Sequence, residues 1–407
     1  MWERFSYYGM RALLVYYMLK QLTFTQAQAS HIYGLYTGLV YLTPFFGGIL
    51  ADRALGQRKA VILGAVLMAI GHFLMAFQSL FFSALLFLIL GNGAFKPNIS
   101  TQVGNLYPVG DPRRDRAFSI FYVGINIGAF FSPLVCGTLG ELYGWHCGFS
   151  AAGVGMIIGL SIYLLGQRWL APDNLMKRKS PEKQPSESLT PDEKNSVWGL
   201  MAICLISVAF WAAYEQQGNT VALWADVNTD RRVFGWEFPA SWFQSLNPAF
   251  VFTFTPLVTT FWSWQSRKSK EPSAVLKMAI GCFLLATGFL AMIPAAMMHE
   301  EAGTRVGMGW LVLFTFLVTL GELYLSPVGL SVVTKLAPAR IVSMMMGIWF
   351  LSSFFGNYAA GFLGHYWEQM TKDVFFLMIA AIAFAAGLAI LMILRPLKRT
   401  IGAEHDM

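Results

Sequence analysis

Six ionisable residues fall inside stretches otherwise apolar enough to cross a bilayer: Glu3, Arg4, Arg11, Lys96, Glu215 and Glu322. An ionisable side chain at that depth costs roughly 2.5–3.5 kcal/mol even on insertion scales, so each needs a partner or a water-filled cavity. Their signs are partitioned: the N-terminal half supplies three cations and one acid, the C-terminal half two acids. In the first stretch Arg4, Tyr8 and Arg11 recur at helical spacing on one face, with Glu3 and Tyr7 on a neighbouring line. A face combining charges with phenols faces water, because belt tyrosines sit at the headgroups and do not align with buried charge. The chemistry such residues offer is charge recognition and proton exchange. No nucleophile–base dyad, metal-ligand spacing or nucleotide-binding loop accompanies them, which argues against a membrane-embedded enzyme and against ATP coupling.

The elements that must position these residues are membrane helices. Of 407 residues, 56% are hydrophobic and 13% charged, where a soluble domain carries about a quarter charged residues. A spanning helix needs about 20 mostly apolar residues. Twelve such windows occur, near 5–22, 27–50, 57–77, 79–103, 116–140, 147–168, 197–220, 240–264, 274–298, 308–334, 341–364 and 373–395. The short alternating segments of a β-barrel do not occur. At a rise of ~1.5 Å per residue, Arg11 and Glu215 both lie in the outer half of the bilayer. Lys96 and Glu322 both lie past the midplane, towards the cytoplasm. The opposite charges thus pair by depth, either as gates or as static ion pairs.

The net charge of +7 is not spread evenly. With the N-terminus inside, the cytoplasmic loops hold Arg53, Arg58, Lys59, Arg113, Arg114, Arg116, the run Lys177 to Lys183, Arg267, Lys268, Lys270, Lys335, Arg340 and Arg395 to Arg399. The external loops hold Lys20, Arg231, Arg232, Arg305 and Lys372. This bias places both termini in the cytoplasm. The basic surplus then faces anionic membrane lipid, and nucleic acid is not an expected partner. The first window carries charges that a secretory signal does not tolerate. The stretch 171–196, rich in Pro, Ser, Lys and Glu, reads as a flexible linker. It divides the chain into an N-terminal six-helix bundle, 1–170, and a C-terminal one, 197–407. Cys136, Cys147, Cys204 and Cys282 read as small apolar residues. Of the histidines, His72 alone lies well within a window.

Several motifs occur in order: ERFSYYG at 3–9, GGILADRALGQRKA at 47–60, GNGAFKPNIS at 91–100, FYVGINIGAFFSP at 121–133, YEQQGNT at 214–220 and GELYLSPVGLS at 321–331. Together they resemble the proton-dependent oligopeptide transporters of the major facilitator superfamily, over nearly the whole chain. The resemblance implies an all-α polytopic fold of twelve transmembrane helices in two six-helix bundles. It also implies a proton-coupled symporter that imports di- and tripeptides by alternating access. Each such peptide is a zwitterion, and cations from one half with acids from the other read both of its ends; Arg offers a planar fork and Lys a point charge. By the same resemblance Arg4 and Lys96 hold the peptide carboxylate, and Glu322 with Asn126 and Asn247 holds the amine. Tyr8, Tyr41 and Trp349 line side-chain pockets. Glu3, Arg4 and Glu215 serve proton coupling, and bridges Arg11–Glu215 and Lys96–Glu322 act as gates. The family's first span carries Glu-x-x-Glu-Arg; Glu3 and Arg4 match its end, and its first Glu falls immediately before Met1, so the chain is expected to begin within the motif. The short stretch between the halves leaves no room for the two extra helices of many bacterial members, and the loop near 299–307 none for the external domain of animal members. A compact bacterial inner-membrane protein, working as a monomer without a cofactor, is therefore expected. Carriers of nitrate, drugs or organic acids share the fold, but nitrate needs no amine-binding acids. A non-transporting receptor on the same fold stays open.

Overall fold

A computed structural model describes residues 1–107, 111–170, 190–338 and 341–401. The linker residues 171–189, with their Lys177 to Lys183 run, and Arg340 lie outside the described residues. The helices are α1 (Trp2–Lys20), α2 (Gln26–Leu50), α3 (Gln57–Leu74), α4 (Phe81–Gly104), α5 (Pro112–Ser132), α6 (Thr138–Tyr143), α7 (Trp145–Gly166), α8 (Pro191–Tyr214), α9 (Thr220–Val227), α10 (Leu246–Arg267), α11 (Ala274–Ala302), α12 (Gly309–Leu336), α13 (Val342–Gly364) and α14 (Lys372–Ile401). Each of the twelve apolar windows falls on helix. The fifth is shared by α5 and α6, joined through a wide turn at Pro133–Gly137, where the proline removes a helical donor. The seventh runs through α8 into a 3-10 turn, Glu215–Gly218.

Nine helical stretches among the described residues are long and apolar enough to cross a membrane. The helices outside that set are α1, α10 and α13, and each carries polar side chains along its length. Helix α1 holds Glu3, Arg4 and Arg11. On α10 the hydroxyls of Thr253, Thr255, Thr259, Thr260 and Ser263 bond to carbonyls one turn back. On α13 Ser352 and Asn357 do the same. Such local bonds satisfy polar groups that lipid could not.

The chain divides into two compact units, Met1–Thr23 with Leu39–Glu187, and Phe24–Gly38 with Ser188–Met407. Within each, glycines let helices close, the packing device that serves where lipid is as apolar as the side chains. In the first unit a methyl group on Gly47 of α2 would lie 2.0 Å from the Gly93 carbonyl oxygen of α4, and one on Gly64 of α3 would lie 2.6 Å from that of Gly91. Helix α1 seats Gly9 against Cys136, and Leu13 against Gly140 and Gly148. In the second unit Gly281 of α11 meets Gly321 of α12, Gly356 of α13 meets Trp211 of α8, and Gly34 meets Gly361.

In the 47–60 motif Gly56 has φ 77, a turn that admits glycine readily, between a wide turn at Ala51–Leu55 and α3. Arg58 reaches the Leu170 carbonyl at 2.6 Å, a bridging role suited to this basic loop. Helix α8 begins at Pro191, inside the stretch read as linker. Thr190 and Glu193 form a capping box there with proline in the first turn, a start signal present in the sequence as TPDE. Four two-residue strands, not foreseen from the apolar windows, join the loops outside these helices: β1 (Thr229–Asp230), β2 (Arg232–Val233), β3 (Trp236–Glu237) and β4 (Val306–Gly307). Strand β1 pairs parallel with β4, and β2 antiparallel with β3. The base of the β2–β3 hairpin is tied by Arg231 to Asp226 and Glu237, and by Arg305 to Glu237.

Candidate functional site

In the first unit the site is built on the start of α1 and the middle of α4. Glu3 and Arg4 are both buried. The Arg4 fork donates from Nε to Glu3 Oε2 and from Nη2 to Glu3 Oε1, each at 2.7 Å. Two parallel bonds to one carboxylate are the strong geometry for this pair. Asn92 of α4 donates from Nδ2 to the same Glu3 Oε1 at 3.3 Å. Tyr7 is buried against Tyr8 and lies beneath the Arg4 guanidinium, 5.3 Å from ring to charge. One turn beyond Asn92, the Lys96 ammonium stands 4.3 Å from the centre of the Tyr41 ring of α2, a cation–π contact. Arg11 is half-buried farther along α1. Asn126 of α5 donates to the Tyr122 carbonyl one turn back at 3.0 Å.

In the second unit the centre is the Glu322 carboxylate on α12. Its Oε2 accepts from the Tyr214 hydroxyl at 2.7 Å and from Asn247 Nδ2 at 2.9 Å. Asn247 also donates to Thr319 Oγ1 at 3.1 Å, one turn before Glu322. Three helices, α8, α10 and α12, therefore fix one carboxylate. The Tyr214 ring is held by Phe210 and Trp211. Trp349 of α13 is buried against Gly329 of α12. Glu215 is buried at the first position of the 3-10 turn that follows α8.

The structure thus brings together Glu3 with Arg4, Lys96 with Tyr41, and Glu322 with Asn247, all named from sequence. Asn92, Tyr214 and Thr319 are additional participants. Two of them stand inside the quoted motifs, Asn92 four residues before Lys96 and Tyr214 immediately before Glu215. The sequence signal was a polar residue one turn from, or beside, a buried charge. Among the described residues no group of three His, Cys, Asp or Glu side chains is placed to hold a metal. Cys136, Cys204 and Cys282 are buried free thiols and Cys147 is half-buried.

Buried charges held by hydrogen bonds inside membrane-length helices mark a functional site rather than a lipid-facing surface. Comparison with known proteins narrows the class. A family model described as "PTR2: POT family" matches residues 58–189 and 174–383. Peptide transporter YePEPT of Yersinia enterocolitica is 35% identical over 98% of this chain and 93% of its own length. A di-/tripeptide transporter of Lactococcus lactis subsp. cremoris is 33% identical over 98% and 94%. Among solved structures, peptide transporter POT in complex with sulfate has a TM-score of 0.88 at 33% identity, covering 98% of this chain and 93% of that one. A POT family transporter in complex with a thioalcohol-conjugated peptide has a TM-score of 0.86 at 29% identity, covering 98% and 94%. The chain belongs to the POT family, and its fold is the all-α, multi-pass layout of that family.

Proposed function

We propose that this protein is a proton-coupled symporter importing di- and tripeptides by alternating access across the bacterial inner membrane. The observation that carries the reading is the division of charge: the first unit offers the cations Arg4 and Lys96, and the second a carboxylate, Glu322, held by neutral donors. A zwitterion with a fixed backbone and variable side chains suits such a pair of charges. Arg4 and Lys96 take the peptide carboxylate; Glu322, Asn247 and Asn126 take the amine. Tyr8, Tyr41 and Trp349 supply apolar walls tolerant of many side chains. The names of the relatives and the peptide-conjugate ligand of a structural neighbour support the substrate class.

Glu3, Arg4 and Glu215 carry the coupling. A proton taken up by Glu3 removes the charge that engages the Arg4 fork, which is then available to a peptide carboxylate. The bundles 1–170 and 197–407 rock about the site, latched outside by Arg11–Glu215 and inside by Lys96–Glu322 in alternate states. Both termini face the cytoplasm, the protein works as a monomer, and the basic loops meet anionic lipid. Binding of dialanine to the purified protein, compared with dialanine amide, tests the carboxylate assignment. Amidation should weaken binding about tenfold or more, the scale of one charge-assisted contact. Equal binding of the two ligands would overturn that assignment.

A further inference from the structure

Asn92 has no part in the reading above, yet its side chain touches the residue on which coupling turns. It is 1% exposed. Its Nδ2 reaches Glu3 Oε1, the oxygen that also receives the Arg4 Nη2 bond. Its Oδ1 is buried and has no hydrogen-bond partner among the described residues. A buried amide oxygen left unsatisfied is uncommon and calls for a reason.

The backbone around it is fixed. On one side Gly91 packs so closely on α3 that a methyl group there would sit 2.8 Å from the Gly64 carbonyl oxygen. On the other side Gly93 packs on α2, where a methyl would sit 2.7 Å from Thr43 Cβ. Helix α4 is therefore clamped between α2 and α3 on either side of Asn92, and the amide is held at a set distance from Glu3. Lys96 follows one turn later on the same face. Arg4 and Lys96 are charged side chains whose fields reach Glu3.

We propose that Asn92 is a positioning residue for proton coupling, an amide that serves Glu3 in both of its protonation states. The inference rests on the reading of Glu3 as a coupling carboxylate. With Glu3 ionised, Asn92 donates through Nδ2, as observed. When a proton from the aqueous phase bonds to Glu3 Oε1, that oxygen becomes a donor and needs an acceptor. Rotation of the Asn92 amide by half a turn about its Cβ–Cγ bond brings Oδ1 to the place Nδ2 now occupies. The Arg4 Nη2 bond to Oε1 is released in the same step, and no other atom changes its proton. An asparagine can do this because its amide carries both donors and an acceptor. A leucine of similar size can do neither.

The test uses the full chain in proteoliposomes with radiolabelled dialanine. Asn92→Leu should lower accumulation driven by a pH gradient by about tenfold, the cost of one hydrogen bond to a charged group. The KM for exchange between equal pools should move by less than about twofold, and Asn92→Gln should recover most of the driven uptake. In a Glu3→Gln background Asn92→Leu should add less than about twofold, since coupled residues are not additive. If Asn92→Leu does not yield folded protein, Asn92→Ala carries the same comparisons. Loss in Glu3→Gln with full accumulation in both Asn92 variants would overturn the role of Asn92 and leave coupling through Glu3 standing. Full accumulation in Glu3→Gln would overturn both. Equal loss of exchange and accumulation in a folded Asn92 variant, or an effect additive with Glu3→Gln, would make Asn92 a packing residue and overturn the proposal.

Discussion

Tyr214→Phe removes one oxygen and leaves the rest of the site in place. The ring stays stacked on Phe210, with centroids 5.9 Å apart, and edge-on to Trp211 at 5.4 Å. What disappears is the 2.7 Å bond to Glu322 Oε2; the 2.9 Å bond from Asn247 remains. A hydrogen bond to a charged group contributes about 1.5–3 kcal/mol. At about 1.4 kcal/mol per decade that spans about 10- to 150-fold in affinity. The surviving Asn247 donor places the effect near the lower end. A carboxylate that has lost an anchor must be ordered by its ligand, and that cost is subtracted from binding. The KM for dialanine uptake should therefore rise about tenfold. Inhibition by N-acetyl-dialanine, which lacks the ammonium, should change little, so discrimination between the two should shrink. An unchanged or lower KM, with discrimination intact, would refute the idea that Tyr214 orients Glu322 for a peptide amine.

Gly329→Ala tests whether Trp349 serves as the proposed side-chain wall. The added methyl would lie 2.1 Å from the indole ring, against an ordinary contact of 3.4–4 Å. Overpacking of this kind costs about 1–3 kcal/mol, so thermal unfolding should occur at a lower temperature. KM should rise more for a dipeptide bearing bulky side chains than for dialanine. The hairpin base tests pH. The Arg305 guanidinium bonded to Glu237, with Arg231 nearby, holds that carboxyl below the ordinary carboxylate range. A depressed folded-state value means the stabilisation is present above the ordinary pKa and is lost as pH falls through the folded one. Exchange protection of the β2–β3 amides should be constant at pH 5 and above, near neutrality included, and fall below about pH 4. Glu237→Gln should remove that dependence, and protection unchanged down to strongly acidic pH would contradict it.

The helices were legible because lipid imposes a length and an apolar composition that few other environments demand. The charges were legible for the complementary reason, since a Glu or Arg in such a helix stands out against its neighbours. Asn92, Tyr214 and Thr319 were less visible. Neutral polar residues are common in membrane helices, and only distance shows that two of these donate to Glu3 or Glu322 while Thr319 accepts from Asn247. The start of α8 at Pro191 was obscured by the polar composition around it, although the Thr190–Glu193 cap was written there. Strands β1 to β4 left no periodic signal, because two residues are too few to alternate. Gly329 has no side chain to mark it, and only the Trp349 ring packed beside it shows its place.

In the proposed symport a proton gradient drives peptide inward through this chain. Proteoliposomes containing the purified protein, loaded at neutral pH and diluted into acidic medium with radiolabelled dialanine, test it directly. Dialanine should accumulate above the external concentration, and a protonophore should abolish that accumulation. Dialanine that merely equilibrates whatever the gradient, or fails to enter faster than into protein-free vesicles, would contradict it.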